Sequence, residues 1–358
     1  MYACSSSDNN GDSNTDNYDR TAMLTHWADN IIIPSYENYD DKMQTLSSDV
    51  INFTTTPTEV NLQLVRTSWI NAYKAYQKVT LFYVGKALEI HLKETTNTYP
   101  TDATAIENNI ASGGYNLDLL SQYSKQGFPA LDYLINGLGT TDADILVFYT
   151  SNTNANKYKQ YLLDVTNKLK ANSNSVVTDW NSTYRNAFIS SNGNAVSSSV
   201  NKITNLFVKN LEKDIRSGKI GIPAGIFSSG TLFPEKVEAF YKKDISKELL
   251  NVALQAQQDF FNGKNFNSSA TGPSLKSYLD YVNAVRSDQN LSDIINNQFT
   301  SSFTANNLLN DNFASQITSD NSKMLNAYDA LQQNVVYIKL DMMQALNITI
   351  DYVDTDGD

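Results

Sequence analysis

Apolar residues recur at three- and four-residue intervals through much of the chain. The clearest run, Leu62, Val65, Trp69, Ala72, Tyr73, Tyr76 and Val79, places one continuous hydrophobic stripe along a helix. Thr56-Pro57-Thr58-Glu59 precedes it and reads as a capping box, in which the Thr56 hydroxyl and the Glu59 carboxylate satisfy orphan amides and proline takes the first helical position. The same spacing in Leu325, Tyr328, Leu331, Val335, Ile338, Met342 and Leu346 predicts a last helix over about 320–347. An earlier helix is expected over 20–47, kinked at Pro34, and others at about 153–188, 196–217, 244–262 and 290–318. No segment reads as a strand. The predicted class is all-α, with two helical bundles.

Composition agrees with that class. The 358 residues include only 15 Gly and 7 Pro, below the roughly 7 % and 5 % of average proteins, which favours long helices over a turn-rich β-sandwich. This length suggests about two domains. Ser190-Ser191-Asn192-Gly193-Asn194 is the best linker, since Gly and Asn tolerate left-handed backbone and nothing apolar is there to bury. The expected division is a leader over 1–19, an N-terminal bundle over 20–192 and a C-terminal bundle over 193–358.

Charge and motif counts narrow the chemistry. With 27 Lys and Arg against 38 Asp and Glu, the net charge of −11 argues against nucleic acid as a partner. One cysteine and two histidines exclude a disulfide framework and Cys-rich zinc patterns. No phosphate loop, nucleophile elbow or paired-histidine metal motif occurs. His26 with Asp29 and His91 with Glu94 have the i,i+3 spacing that shares a helix face, a coincidence common in an acidic chain. Cys4 follows a small residue and precedes a polar leader of Ser, Asp and Asn, as at the end of a bacterial lipoprotein signal, so Cys4 is the expected lipidation site. That reading places the protein in the bacterial cell envelope, lipid-anchored in the periplasm or at the outer-membrane surface.

Gly127-Phe128-Pro129-Ala130-Leu131-Asp132, leading into Tyr133-Leu134-Ile135, resembles the G-x-H-x-x-E signature of the imelysin-like family of bacterial envelope proteins, sometimes classed as metallopeptidases. Trp69 to Ala72, Phe82 to Ala87, Tyr99-Pro100-Thr101-Asp102, Lys219 to Pro223, Val237 to Tyr241 and Lys339 to Asp341 extend the resemblance over about 20–358. It implies two helical bundles related by duplication, with a cleft between them. It also implies links to iron or haem uptake or to glycan binding. Pro129 stands where the family has histidine and Asp132 where it has glutamate, so the motif offers at most one of the roughly three ligands a zinc site needs.

The expectation is therefore a non-catalytic envelope protein that captures a small-molecule, metal or glycan ligand in the cleft, with no bound cofactor. The alternative is a metallopeptidase assembled from acidic residues and His91. The expected cleft residues are Gly127, Pro129, Asp132, Glu238, Trp69 and Tyr73. For Asp132 two readings stand, an exposed first-turn carboxylate favoured by the helix dipole or a polar contact to a ligand. Glu238 is read either as a site residue or as a solvated glutamate on a helix surface. Trp69 and Tyr73 lie on the stripe that packs the core.

Overall fold

The structure, a computed structural model, describes residues 16–352. Cys4 and the leader up to residue 15 lie outside the described residues. Helix α1 (Arg20–Trp27) opens under Asp19, whose carboxylate accepts the Ala22 amide, and passes through a wide π turn at Ala28–Ile32 into α2 (Ile33–Thr55). Pro34 accounts for the turn, because proline has no N–H for the carbonyl four residues back and its ring would collide with it. The kink expected at Pro34 is thus relieved one turn upstream, and the freed Asn30 carbonyl accepts the Phe266 amide at 2.8 Å.

Helix α2 runs beyond residue 47 to Thr55, which corrects the capping assignment. Thr56 closes α2, its amide donating to the Asn52 carbonyl, and Thr58 caps α3 (Glu59–Gln77) by accepting the Asn61 amide. The residue before a proline is pushed to extended backbone, and Thr56 at φ −132° obeys that rule, so the next helix restarts only after Pro57.

Tyr36, Tyr39, Met43, Leu46, Val50 and Phe53 line one side of α2 and are buried. They face α3 and α4 (Ala155–Asp179), the longest helix of the N-terminal half. In the C-terminal half α5 (Ser199–Lys209) continues as a π segment over Asn210–Gly221, followed by α6 (Ser246–Phe261), α7 (Leu291–Asn307) and α8 (Ser322–Val336). Helix α8 packs on α7 and on the π segment, and α6 packs on α7 and on α3, so one hydrophobic core runs through both halves. The helix expected over 290–318 breaks at 308–312, where Asn312 caps a separate turn at Phe313–Ser319. Strand among the described residues amounts to one pair, Val285–Arg286 with Gln289–Asn290.

Between α3 and α4, where no long periodic run exists, the chain folds as short helices, among them Leu92–Asn97 and Gly127–Asp132. No helix among the described residues is long and apolar enough to cross a membrane.

Candidate functional site

The site is built around the short helix Gly127–Asp132. Gly127 has φ +82°, and a Cβ there would stand 2.3 Å from the Thr96 carbonyl oxygen, so only glycine lets this helix meet the end of Leu92–Asn97. Phe128 stacks on Tyr73 with ring centroids 4.4 Å apart and planes 9° from parallel, and the Trp69 indole donates to the Phe128 carbonyl at 3.2 Å. Trp69 and Tyr73 are fully buried. They fix the motif helix from behind.

That support aims Asp132 at the loop over residues 237–243. The Tyr241 amide donates to Asp132 Oδ2 at 2.8 Å, the Lys242 amide to Oδ1 at 2.9 Å and the Asn136 side-chain amide to Oδ1 at 2.9 Å. Ala239 and Lys243 take positive φ without being glycine, a conformation the loop holds while wrapped on this carboxylate. Burial pushes the Asp132 carboxyl up to about 7, against the three N–H donors that favour its ionised form. The expectation of an exposed first-turn carboxylate is therefore corrected. Asp132 ends its short helix, is buried, and meets backbone amides of a different segment instead of its own helix's N-terminus.

Pro129 and Asp132 line a pocket of about 210 Å³ together with Tyr99, Glu235, Phe240 and Tyr241. Its lining carries two carboxyl groups and no basic side chain. Tyr99 also lines a second pocket of about 100 Å³, bordered by Gln77, Asn97, Asp214 and Lys219.

Glu238 belongs to the same loop and is joined to Lys219 in a buried ion pair, so its reading as a solvated helix-surface glutamate is also corrected. The Gln77 and Asn97 amides donate to Glu238 Oε1 at 2.9 and 2.7 Å, and Lys219 also donates to Gln77 Oε1 at 2.9 Å. The Tyr73 hydroxyl donates to Asn97, which ties the network to the wall behind the motif helix. A buried charge of either sign is tolerated when paired and hydrogen-bonded in this way.

Of the expected residues, Pro129 and Asp132 reach the larger pocket, Glu238 lies in the loop that forms its wall, and Gly127, Trp69 and Tyr73 sit behind. Lys219, Gln77, Asn97, Tyr99 and Tyr241 were not singled out as site residues. Lys219, Tyr99 and Tyr241 lie in stretches that carry the family resemblance, which is their only signal in the sequence.

The donors do not suit a zinc-type ion. Both Asp132 oxygens and both Glu238 oxygens already accept hydrogen bonds, and Pro129 has no donor atom. The histidine pairs are spent elsewhere. His26 Nε2 lies 2.8 Å from the Gly263 carbonyl while Asp29 pairs with Arg185, and His91 caps its helix at φ +51° while Glu94 accepts the Tyr83 hydroxyl. Among the described residues no group of three or more His, Cys, Asp or Glu side chains is placed to hold a metal ion.

The family model described as Imelysin matches residues 32–337. A crystal structure assigned as an iron-regulated protein A precursor, from Parabacteroides distasonis ATCC 8503, superposes with a TM-score of 0.75 at 17% identity, covering 94% of this chain and 97% of that one. An imelysin-like protein from Psychrobacter arcticum 273-4 gives a TM-score of 0.69 at 17% identity, over 93% and 97% of the two chains. At that identity the likeness speaks to fold. No curated protein matches this chain.

Proposed function

Because this chain belongs to the imelysin family, we propose that it is a lipid-anchored protein of the bacterial envelope that binds a ligand in the pocket beside Asp132 and does not cleave peptides. The observation that carries this reading is the pocket lining, in which aromatic rings and two carboxyl groups surround about 210 Å³ with no basic group. Such a lining suits a neutral sugar ring, which stacks on tyrosine and hydrogen-bonds to the Glu235 carboxylate, or a cationic complex drawn to that charge, and it disfavours a polyanion. The net charge of −11 acts in the same direction. The name of the Parabacteroides relative connects that protein to iron, and the same physiological setting is proposed for this one.

Calorimetric titration with neutral oligosaccharides, with a polyuronate and with ferric complexes tests the ligand class. Binding of a neutral sugar or an iron complex that is weakened in Glu235→Gln, a change at the exposed carboxylate of the lining that leaves the Asp132 contacts in place, supports the reading. Tight polyuronate binding at physiological salt, or zinc-dependent peptide cleavage abolished by the same substitution, overturns it. Lipid anchoring is tested separately, since Cys4→Ala should move the protein from the membrane to the soluble fraction of its native host.

A further inference from the structure

A pocket of about 510 Å³ lies away from Asp132, where the loop over 264–269 meets α6 and the start of α2. That volume falls in the range of small-molecule sites. Its floor is apolar, formed by Phe82, Val252 and Phe260, and its charged groups are Lys78, Asp259 and Lys264. Asp259 is committed to Lys264 at 3.3 Å and also accepts the Gln255 amide at 2.9 Å. Lys78 has no carboxylate within ion-pair distance among the described residues. Its ammonium lies 5.2 Å from the centroid of the Phe266 ring, half-buried, and burial lowers its pKa although Asp259 opposes the shift. Two cations therefore face one anion inside a pocket of an otherwise acidic protein.

The wall of this pocket is held in place before anything binds. The Asn30 carbonyl, set free by Pro34, takes the Phe266 amide, and His26 anchors the loop's start at the Gly263 carbonyl. At the loop's other end Gly272 lies against the His26 ring so closely that a Cβ would come within 2.4 Å. A wide π turn at the edge of a binding pocket is a recurrent functional placement.

We propose that this pocket is a second binding site, for a small organic carboxylate with an aromatic or aliphatic body. The carboxylate pairs with the Lys78 ammonium, and the body packs on Phe266, Val252 and Ala256, the partly exposed apolar residues of the lining. A half-buried ammonium without a counter-ion is costly, and an incoming carboxylate supplies the missing charge. The net negative field of the protein does not forbid this, since at physiological salt exposed charges are screened beyond about 8 Å and the local excess of cations decides.

The probes are phenylacetate and octanoate, with 2-phenylethylammonium as the same aromatic body carrying the opposite charge, followed by calorimetry or ligand-observed NMR on the whole chain. Both carboxylates should bind at millimolar concentration or better, and the ammonium probe about tenfold or more weakly. Lys78→Gln should weaken the carboxylates by about tenfold, Phe266→Ala should also weaken them, and Lys78→Arg should retain them. Equal binding of the two aromatic probes, unchanged carboxylate affinity in Lys78→Gln, or no binding at millimolar concentration overturns the proposal. The probe comparison uses the unaltered protein, so it decides the matter even where a variant fails to fold.

Discussion

Asp132 and Tyr241 lie 109 residues apart in the chain and are joined by a 2.8 Å hydrogen bond from the Tyr241 amide to the buried carboxylate. With the neighbouring Lys242 amide, this bond makes Asp132 the post around which the 237–243 loop is folded. Asp132→Ala leaves two backbone donors without their acceptor, so it should cost roughly 2–4 kcal/mol in urea denaturation. Amide exchange at residues 241 and 242 should rise with it. A cost of a few tenths of a kcal/mol, as for an exposed carboxylate at a helix end, would show that the loop is held by other contacts.

The same carboxyl predicts a pH dependence of definite sign. In the folded protein Asp132 keeps its proton up to about 7, whereas the ordinary value is 3.8, so the folded state binds more protons between those limits. The stability this contributes is full below about 4 and is lost as pH rises through about 7. Asp132→Asn cannot titrate. The advantage of the wild type over Asp132→Asn should therefore shrink by about 1.4 kcal/mol for each pH unit climbed inside that window, measured by chemical denaturation at several pH values. A constant difference would mean that the three N–H donors keep the group ionised throughout.

The helices and the site were not equally legible in the sequence. The stripe from Leu62 to Tyr76 is a local pattern, and it forms α3 with those residues buried. Pro34 was readable as a disturbance, but where the strain would be relieved depended on Phe266, more than two hundred residues away, being free to take the Asn30 carbonyl. Asp132 and Glu238 were singled out, yet their surroundings were misjudged, because a carboxylate in an acidic chain reads as solvated unless its distant partners are known. Lys219 shows the limit most clearly. Its charge gives no hint of burial until Glu238 and Gln77 are brought to it by the fold.

Gly127→Ala should be severe. The new Cβ meets the Thr96 backbone, which cannot swing aside, and φ +82° is strained for any residue with a side chain. A loss of about 3 kcal/mol or more is expected, read as a lowered urea midpoint or as insoluble expression. Gly193→Ala is the control. No atom lies within 4 Å of a Cβ at Gly193, so its effect should stay within about 0.5 kcal/mol. Similar costs at the two positions would show that the close approach to Thr96 is not what requires glycine.

The Lys219–Glu238 pair predicts strong non-additivity. Lys219→Met leaves a buried carboxylate held by the Gln77 and Asn97 amides with no opposite charge, and Glu238→Gln leaves a buried ammonium with neutral amide oxygens in place of its carboxylate. Each single change should cost about 3–5 kcal/mol, because an uncompensated charge in the interior is far worse than no charge. The double variant removes both charges at once. It should be more stable than the sum of the single losses implies by about 2 kcal/mol or more, measured as a double-mutant cycle in urea. A cycle that closes additively would mean that the two charges do not depend on each other. The loop carrying Glu238 would then be held to the rest of the site mainly through Asp132.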